Sequence, residues 1–466
     1  MVTDFLSYNL IPLFSALAIP FISRKSKRIT EIFANVALLS GLINVGYILF
    51  YYVIKMNYST FTYDALTLAM IFIIYLVALA IVFFSTYYDV EKETNVVSYY
   101  SLILISVSAM CSLVMSRDFF TLYIFMEALS VCSFALITSN SKNISVEAAI
   151  KYFFLTFPAS VLIIFGISLL MLNYGGFGFE IIKFTNINFL SIIAFSLIII
   201  GFLIKSGIAP FHFWTPDVYQ GAFSPISAYL AGIITKVGGI YAIIKISIMI
   251  SNSPIISKIS SLLLFTGLLS VILGAVGAIV QRDFKRMLAY SSISQMGYII
   301  MATGTFTPLG IMAAVFHLIN HATFKTVLFL NSACVEKATQ TTNMDELKGL
   351  EHRMPYTSWT SIVALLSTAG VPPLSGFWSK LIIIIALWEK GNVYYATSAL
   401  IFSIVTLAYF MIMQKKVFFG KLPEKFQDIK EAKFQLLIPV VIISFFIIIT
   451  GLFFNKIYLY LEKIPI

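Results

Sequence analysis

The stretch FHLINHATFKTVLFL, residues 316–330, places three protonatable side chains inside a long apolar run. His317, His321 and Lys325 are spaced i, i+4 and i+8, so on an α-helix they share one face and span about 12 Å of the axis. Ionisable groups within an apolar segment indicate a function, because it is costly to remove each of them from water. The stretch predicts a membrane helix that carries a row of proton-binding groups.

The composition of the chain is that of a membrane protein. Of its 466 residues, 59% are hydrophobic and 11% are charged, whereas a typical soluble domain carries about 25% charged residues. Apolar runs of about eighteen or more residues recur along the chain, and such runs cross a bilayer as α-helices. We expect an all-α, polytopic membrane protein. The net charge of +10 is assigned to basic cytoplasmic loops rather than to a nucleic-acid partner.

The apolar runs predict about fourteen transmembrane helices in a single transmembrane domain, residues 1–466. Residues 1–115 hold helices one to four, residues 116–395 hold a central core, and residues 396–466 hold helices thirteen and fourteen. The predicted spans are 4–22, 30–53, 65–86, 97–115, 119–138, 150–172, 188–209, 226–250, 260–280, 291–305, 309–335, 357–388, 394–414 and 434–454.

Lysine and arginine are unevenly distributed between the predicted loops. The loops after odd-numbered spans hold most of the 31 lysines and arginines of the chain. Because cytoplasmic loops retain basic residues, we expect these loops in the cytoplasm and both termini outside it.

Glu127 is the one acidic residue well inside a predicted span, in TLYIFMEALSVCSFAL, residues 121–136. A charge at the bilayer centre costs roughly 2.5–3.5 kcal/mol on insertion scales, so an intramembrane carboxylate indicates function. The alternative is a helix-packing hydrogen bond from Glu127 to a serine or threonine.

Lys205 lies where a long apolar run meets a helix break, in GFLIKSGIAPFHFWTPDVYQGAFSPISAYL, residues 201–230. Pro210 and Pro216 follow it, and proline removes a backbone donor and clashes with the preceding turn. A break at membrane depth is tolerated only where protein or water satisfies the freed backbone. Lys205 therefore has a hydrated neighbourhood available, although a lysine at a helix end also snorkels to the surface.

A second break follows the same pattern. GVPPLSGFW, residues 370–378, contains Pro372 and Pro373 and leads directly to Lys380, as GIAPFHFW, residues 207–214, follows Lys205. Paired interruptions in corresponding halves are typical of transporters with internal repeats, here two units of about five helices. Lys236 lies deep in another apolar run, where snorkelling is difficult, whereas for Lys245, nearer a helix end, snorkelling is the better interpretation.

The two histidines of the opening stretch allow three interpretations. A metal site is one, but the pair lacks the glutamate of the HExxH motif and has a lysine one turn away. Structural hydrogen bonding is the second. Proton transfer is the third and is favoured, because imidazole accepts a proton on one nitrogen and releases it from the other. Cys111, Cys132 and Cys334 show no metal-ligand spacing, and we expect any redox chemistry on other subunits.

With these residues in view, the chain resembles the antiporter-like, proton-conducting membrane subunits of respiratory complex I, of Mrp sodium/proton antiporters and of membrane-bound hydrogenases. The resemblance implies fourteen helices with two inverted five-helix repeats, broken helices seven and twelve, and an antiporter-like core at residues 116–395. It assigns no catalytic residue and no metal to the chain. It rests on DFFTLYIFMEALSVCSFAL, KSGIAPFHFWTPDVYQGAFSPISA, TKVGGIYA, QRDFKRMLAYSSISQMGYI, FHLINHATFKTVLFL and GVPPLSGFWSK. The family's proton path carries over to Glu127, Lys205, Lys236, His317, His321 and Lys380, and the spacing of the opening row adds Lys325.

The sequence combines motifs that resemble different subunit types of this family. WTPDVYQGA resembles the N-type complex I subunit, whereas TKVGGIYA and the two-histidine helix are closer to M-type, Mrp or hydrogenase subunits. Lysine at position 380 departs from the M-type, which tends to have glutamate there. The resemblance implies a prokaryotic plasma-membrane protein that moves protons, with Na⁺ as the alternative ion. The expected partners are lipids and other membrane subunits, including homologous ones, and Fe–S clusters, flavin and quinone are expected on partner subunits.

The expected function is that of a proton-translocating subunit of a complex I-type NADH or other donor:quinone oxidoreductase, driven by redox chemistry elsewhere. An Mrp-type Na⁺/H⁺ antiporter subunit and the ion-pumping subunit of a membrane-bound hydrogenase remain alternatives. A solute transporter with internal repeats is a further class, and it would need a substrate cavity lined by more than a lysine–histidine–glutamate row.

Overall fold

The computed structural model describes residues 2–23, 26–55, 65–88, 90, 94–140, 142–179, 188–251 and 255–462. Within these ranges the chain is helical, with short 3-10 turns and no named β-strand. The expectation of an all-α fold is confirmed.

The helices are numbered in chain order. They are α1 Val2–Ile22, α2 Lys27–Lys55, α3 Ala65–Tyr87, α4 Val96–Met115, α5 Phe119–Ile137, α6 Asn143–Tyr174, α7 Phe189–Lys205, α8 Trp214–Gly221, α9 Ser224–Met249, α10 Ile256–Val280, α11 Phe284–Thr303, α12 Pro308–Thr339, α13 Pro355–Ala369, α14 Ser375–Glu389, α15 Val393–Val417, α16 Phe434–Leu452 and α17 Phe454–Leu461.

Ten of the helices within the described ranges are long and apolar enough to cross a membrane, namely α2–α6, α9, α10, α12, α15 and α16. Shorter apolar segments lie in α1 and α7. The chain is therefore a polytopic membrane protein. The count of fourteen spans stays a prediction, and the predicted span 357–388 is divided between α13 and α14.

Two aspartates fix where helices begin. Asp118 accepts a hydrogen bond from the Thr121 amide, 2.7 Å, and starts α5. Asp283 does the same for the Arg286 amide, 2.8 Å, and starts α11. Because these carboxylates satisfy amides that lack a partner within the helix, α11 begins at Phe284, well before the predicted span 291–305.

The chain divides into two compact units. Unit 1 comprises Met1–Ser206, Ile233–Ile259 and Leu459–Ile466, and unit 2 comprises Gly207–Gly232 and Ser260–Tyr458.

In unit 1, α4 packs against α1, α3 and α5, and α6 lies along α7. The α6–α7 contact is close at Gly166: a Cβ atom added to this glycine would lie only 2.7 Å from the Ala194 carbonyl oxygen. The small residue thus lets two apolar helices approach at backbone distance, as is common between membrane helices.

In unit 2, α12 is the central helix, and it packs against α11, α13, α14, α16 and the first turns of α9. In the most apolar stretch of α12, 94% of the residues are buried within the protein. The polar groups of the opening stretch therefore face protein.

Ion pairs fix the loop that follows α12. Lys416 donates to the Asp345 carboxylate at 2.6 Å, and Arg282 lies 3.6 Å from the same carboxylate. The hydrogen bond from Lys416 holds the pKa of Asp345 below its usual range.

Both proline-containing segments interrupt helices. After α7 ends at Lys205, residues 206–213 form turns that contain Pro210, whereas Pro216 lies in the first turn of α8, where its missing amide is not needed. The second interruption, residues 370–374, contains Pro372 and Pro373 between α13 and α14.

The helix α9 is not a regular α-helix. Its middle consists of two π-helical segments, Leu230–Ile234 and Lys236–Tyr241, in which backbone hydrogen bonds span five residues. Lys236 therefore lies where the winding of the helix departs from the α form.

Candidate functional site

The carboxylate of Glu127 and the ammonium of Lys205 form an ion pair in unit 1, with 3.0 Å between Oε1 and Nζ. α5 supplies Glu127 and the last turn of α7 supplies Lys205, which is 7% exposed. Lys205 also donates to the Ser130 hydroxyl at 2.8 Å. The negative end of the α7 dipole and the carboxylate both stabilise the buried cation.

A cavity of about 220 Å³ adjoins this pair, and water occupies roughly 30 Å³ per molecule in the liquid. Its lining is mostly apolar, but the polar side chains of Glu127, Lys205 and Ser130 lie at one part of it, where water would find hydrogen-bonding partners. The residues that line it are Glu127, Lys205, Ser130, Tyr152, Thr156 and Ser160, with Val131, Phe134, Phe153 and Phe157.

Lys236 is fully buried in unit 1 and donates to the Thr235 hydroxyl at 3.0 Å. One turn further along α9, Gly239 packs against Ser206, and a Cβ atom there would lie 2.2 Å from the Ser206 hydroxyl oxygen. This contact holds the π-helical part of α9 against the end of α7, directly beside Lys205.

His317 and Lys380 lie in unit 2, and both are close to one tyrosine. His317 Nδ1 is hydrogen-bonded to the Ser379 hydroxyl at 2.9 Å. The Tyr298 ring lies 6.2 Å from the His317 ring and 4.7 Å from Lys380 Nζ, measured to ring centroids. Lys380 also donates to the Ala369 carbonyl, at the C-terminal end of α13, at 3.4 Å. Lys380 belongs to the start of α14, but its ammonium thus lies at the C-terminal end of α13, where the helix dipole favours a cation as it does for Lys205 at the end of α7.

His321 and Lys325 continue the row along α12, and both side chains are fully buried. Lys325 donates to the Leu288 carbonyl at 3.1 Å and to the Ser291 hydroxyl, both on α11. The His321 ring packs against Phe324 at 5.3 Å. Unit 2 therefore contains four of the seven residues predicted for the proton path: His317, His321, Lys325 and Lys380.

Lys245 has backbone partners in unit 1. Its ammonium donates to the carbonyls of Val114 and Ser116, at 2.8 and 2.6 Å, where α4 ends. It therefore caps a helix C-terminus.

Sequence reasoning missed several polar neighbours of these groups, including Tyr298, Ser291 and Ser379. One signal was available for α6: Tyr152, Thr156 and Ser160 repeat the i, i+4, i+8 spacing of the α12 row, and α6 and α12 are both 32 residues long. Tyr298 gives no such signal, because its role depends on tertiary packing. Among the described residues, no group of three or more histidine, cysteine, aspartate or glutamate side chains is arranged to hold a metal ion.

Comparison with known proteins gives a family. The family model described as "NADH:quinone oxidoreductase/Mrp antiporter, TM" matches residues 116–410. The chain is 29% identical to the D subunit of the Na⁺/H⁺ antiporter of Alkalihalophilus pseudofirmus over 402 residues, which cover 85% of this chain and 81% of that protein. It is 30% identical to the N subunit of the NADH-quinone oxidoreductase of Thioalkalivibrio sulfidiphilus over 407 residues, which cover 85% of this chain and 83% of that protein.

The fold is also similar to a chain in the structure of the Mrp complex from Dietzia sp. DQ12-45-1b. The TM-score is 0.90 at 20% sequence identity, and the match covers 100% of this chain and 97% of that one. The chain belongs to the family of antiporter-like, proton-translocating transmembrane subunits of NADH:quinone oxidoreductases and Mrp antiporters.

Proposed function

We propose that this chain is a proton-translocating subunit of a complex I-type donor:quinone oxidoreductase in a prokaryotic plasma membrane. Protons move along Glu127, Lys205 and Lys236 in unit 1, and along His317, His321, Lys325 and Lys380 in unit 2. The observation that carries this proposal is the ion pair between Glu127 and Lys205, 3.0 Å apart and beside a cavity. A charged pair at membrane depth is costly to keep and indicates an ion pathway.

The pair works as a switch between two protonation states. With Glu127 adjacent, the charged ammonium of Lys205 is stabilised by the carboxylate. A movement of Glu127 away from Lys205 leaves a buried cation without its counter-charge, and the ammonium then releases its proton to water in the cavity. The return of Glu127 favours reloading.

The row in unit 2 relays protons. His317 binds the Ser379 hydroxyl through Nδ1, which fixes the ring, and its Nε2 atom is buried without a hydrogen-bond partner among the described residues. Imidazole held in this way accepts a proton on one nitrogen and donates from the other. Water in the gaps would connect the ring to Lys380.

Energy for uphill transport comes from outside the chain in this proposal. Moving one charge against 100 mV requires about 2.3 kcal/mol, and the sequence contains no nucleotide-binding loop or redox motif. Partner subunits would carry the Fe–S clusters, flavin and quinone site, and homologous membrane subunits would lie beside this chain. The similarity to NADH-quinone oxidoreductase N subunits such as that of Thioalkalivibrio sulfidiphilus supports this assignment.

An Mrp-type Na⁺/H⁺ antiporter subunit is the second candidate, and the similarity to the Na⁺/H⁺ antiporter of Alkalihalophilus pseudofirmus favours it. The two candidates differ in their driving force. Purification with the native partners attached would distinguish them, because Fe–S and quinone-site subunits support the first and a set of small antiporter subunits the second. Proton movement that stops when sodium is removed would favour the antiporter.

The central test is substitution of the ion pair in the native complex. We expect Glu127→Gln and Lys205→Ala to abolish or strongly reduce coupled proton pumping in proteoliposomes while the complex still assembles. The matched control is Glu147→Gln, which removes one partner of an exposed ion pair with Lys151 on α6 at 2.7 Å. Pumping at the normal rate in either ion-pair variant would contradict the proposal.

A further inference from the structure

A second buried cation–carboxylate contact lies in unit 2, where α11 begins and α12 ends. Lys285 Nζ is 3.4 Å from the Glu336 carboxylate. The lysine is 5% exposed, whereas about a third of the Glu336 side chain, 34%, is exposed. Lys285 also donates to the Ser224 hydroxyl at 3.0 Å, and that hydroxyl donates to Glu336. The carboxylate therefore contacts solvent on one side and a buried polar group on the other.

This ion pair lies close to Lys325, the last member of the row of protonatable residues on α12. Lys325 bonds the Leu288 carbonyl and the Ser291 hydroxyl. Leu288 follows Lys285 by three residues, which is about 4.5 Å of helix rise. The terminal nitrogen of Lys325 is thus bonded to α11 about one helical turn beyond Lys285.

A buried serine lies between Lys325 and Glu336 on α12. Ser332 lies four residues before Glu336 on α12 and is 1% exposed, and its hydroxyl has no hydrogen-bond partner among the residues that the structure describes. Buried hydroxyls are ordinarily hydrogen-bonded, to ordered water where protein provides no partner. Glu336 lies about 6 Å of helix rise beyond Ser332 and Lys325 about 10 Å before it, so a short chain of water molecules through this position would connect Glu336 to Lys325.

We propose that Glu336 is the proton-collecting group at the mouth of the α12 row. Its carboxylate takes a proton from bulk water and passes it, through water held by Ser332, to the neutral amine of Lys325. The carboxylate is regenerated in the process, so only a proton moves. This inference rests on the proposed function and adds an entry point to it, on the side that the lysine and arginine distribution assigns to the cytoplasm.

Neighbouring acids are less suited to this role. Asp217 pairs with Arg286, which also donates to Gln220 at 3.1 Å. Asp283 is bound to the Arg286 amide as the cap of α11 and accepts a further bond from Thr342. The Glu336 side chain caps none of the described helices, and it lies in the half-buried last turn of α12.

The test uses Glu336→Gln in the complete, reconstituted complex. We expect proton uptake to slow by about 100-fold, the lower range for loss of a positioned proton-transfer group. Added azide or formate should restore the rate, because a small weak acid carries protons to the buried row. Glu336→Asp should retain much of the rate. The matched control is Glu346→Gln, since Glu346 is also 3.4 Å from a lysine, Lys425, in the loop on the same side.

Two outcomes would overturn the inference. One is uptake at the normal rate in Glu336→Gln. The other is slow uptake that neither weak acids nor Glu336→Asp restores, since that pattern belongs to a purely structural ion pair. Glu127→Gln, measured in the same assay, separates the two proposals: normal pumping there would refute the proposed function, whereas loss of pumping there with normal Glu336→Gln refutes only the entry point.

Discussion

Lys205 and Lys245 are both lysines of unit 1 within apolar helices, yet their surroundings assign them different roles. Lys205 has a carboxylate partner and an adjoining cavity. Lys245 has two backbone carbonyls at the end of α4 and the faces of Tyr241 and Phe179 at 5.6 and 5.7 Å. A charge held by fixed carbonyls and rings has no acceptor that moves, so Lys245 holds the end of α4 in place.

Lys245→Ala should therefore lower stability without stopping transport. Loss of charge-assisted hydrogen bonds to backbone carbonyls that stay partly buried costs about 1–3 kcal/mol. We expect a lower thermal unfolding midpoint and, per assembled complex, a near-normal pumping rate. A complete loss of pumping in a well-assembled variant would place Lys245 on the proton path instead. Glu127→Gln should show the opposite pattern, in which the complex assembles but pumping is lost.

The paired breaks were accessible from sequence because glycine and proline have strong local preferences. GIAPFHFW and GVPPLSGFW both mark interruptions that the structure contains. The position of each half-helix end was less accessible. Pro216 lies inside α8 rather than in the break. The helix α11 begins at Phe284, before the apolar run, because the Asp283 carboxylate caps it there and hydropathy carries no signal for such a cap.

The second break depends on close packing between α13 and α14. A Cβ atom on Gly376 would lie 1.8 Å from the Ser367 carbonyl oxygen, a backbone atom that has no freedom to rotate away. We expect Gly376→Ala to destabilise the protein by about 1–3 kcal/mol, as overpacking does, and to displace the turn that precedes Lys380.

Gly46→Ala on α2 is the matched control, because a Cβ atom there meets nothing within 4 Å. Alanine favours a helix over glycine, so this variant should keep or raise the thermal midpoint. Equal midpoints for Gly376→Ala and the wild type would show that the break adapts more easily than the backbone contact indicates.

Across the complete chain, hydropathy predicted the class of fold and the approximate position of most helices. It did not predict which polar side chains meet. The Lys205–Glu127 pair joins residues that are 78 positions apart, and His317 meets Ser379 at a separation of 62. Such pairings depend on how helices pack, and a single sequence contains no record of that packing. The opening row was found because its members share one helix, where spacing alone fixes the face.

The predicted orientation can be tested with membrane-impermeant maleimide. The native thiols of Cys111, Cys132 and Cys334 are buried, so an introduced cysteine should react alone. We expect Arg282→Cys, at a side chain that is 82% exposed, to react only from the cytoplasmic side. Tyr394→Cys, at a residue that is 87% exposed, should react only from the outside. The reverse pattern would mean that the positive-inside interpretation is wrong.

The π-helical middle of α9 affects the direction in which the Lys236 side chain points. A π-turn holds more residues than an α-turn, so rewinding such a segment to α geometry rotates the side chains beyond it by about 100° for each residue gained or lost. Lys236 begins the second of these segments and closely follows the first. Its ammonium can thus be redirected by a screw motion within a single helix, with little sideways displacement of the helix axis.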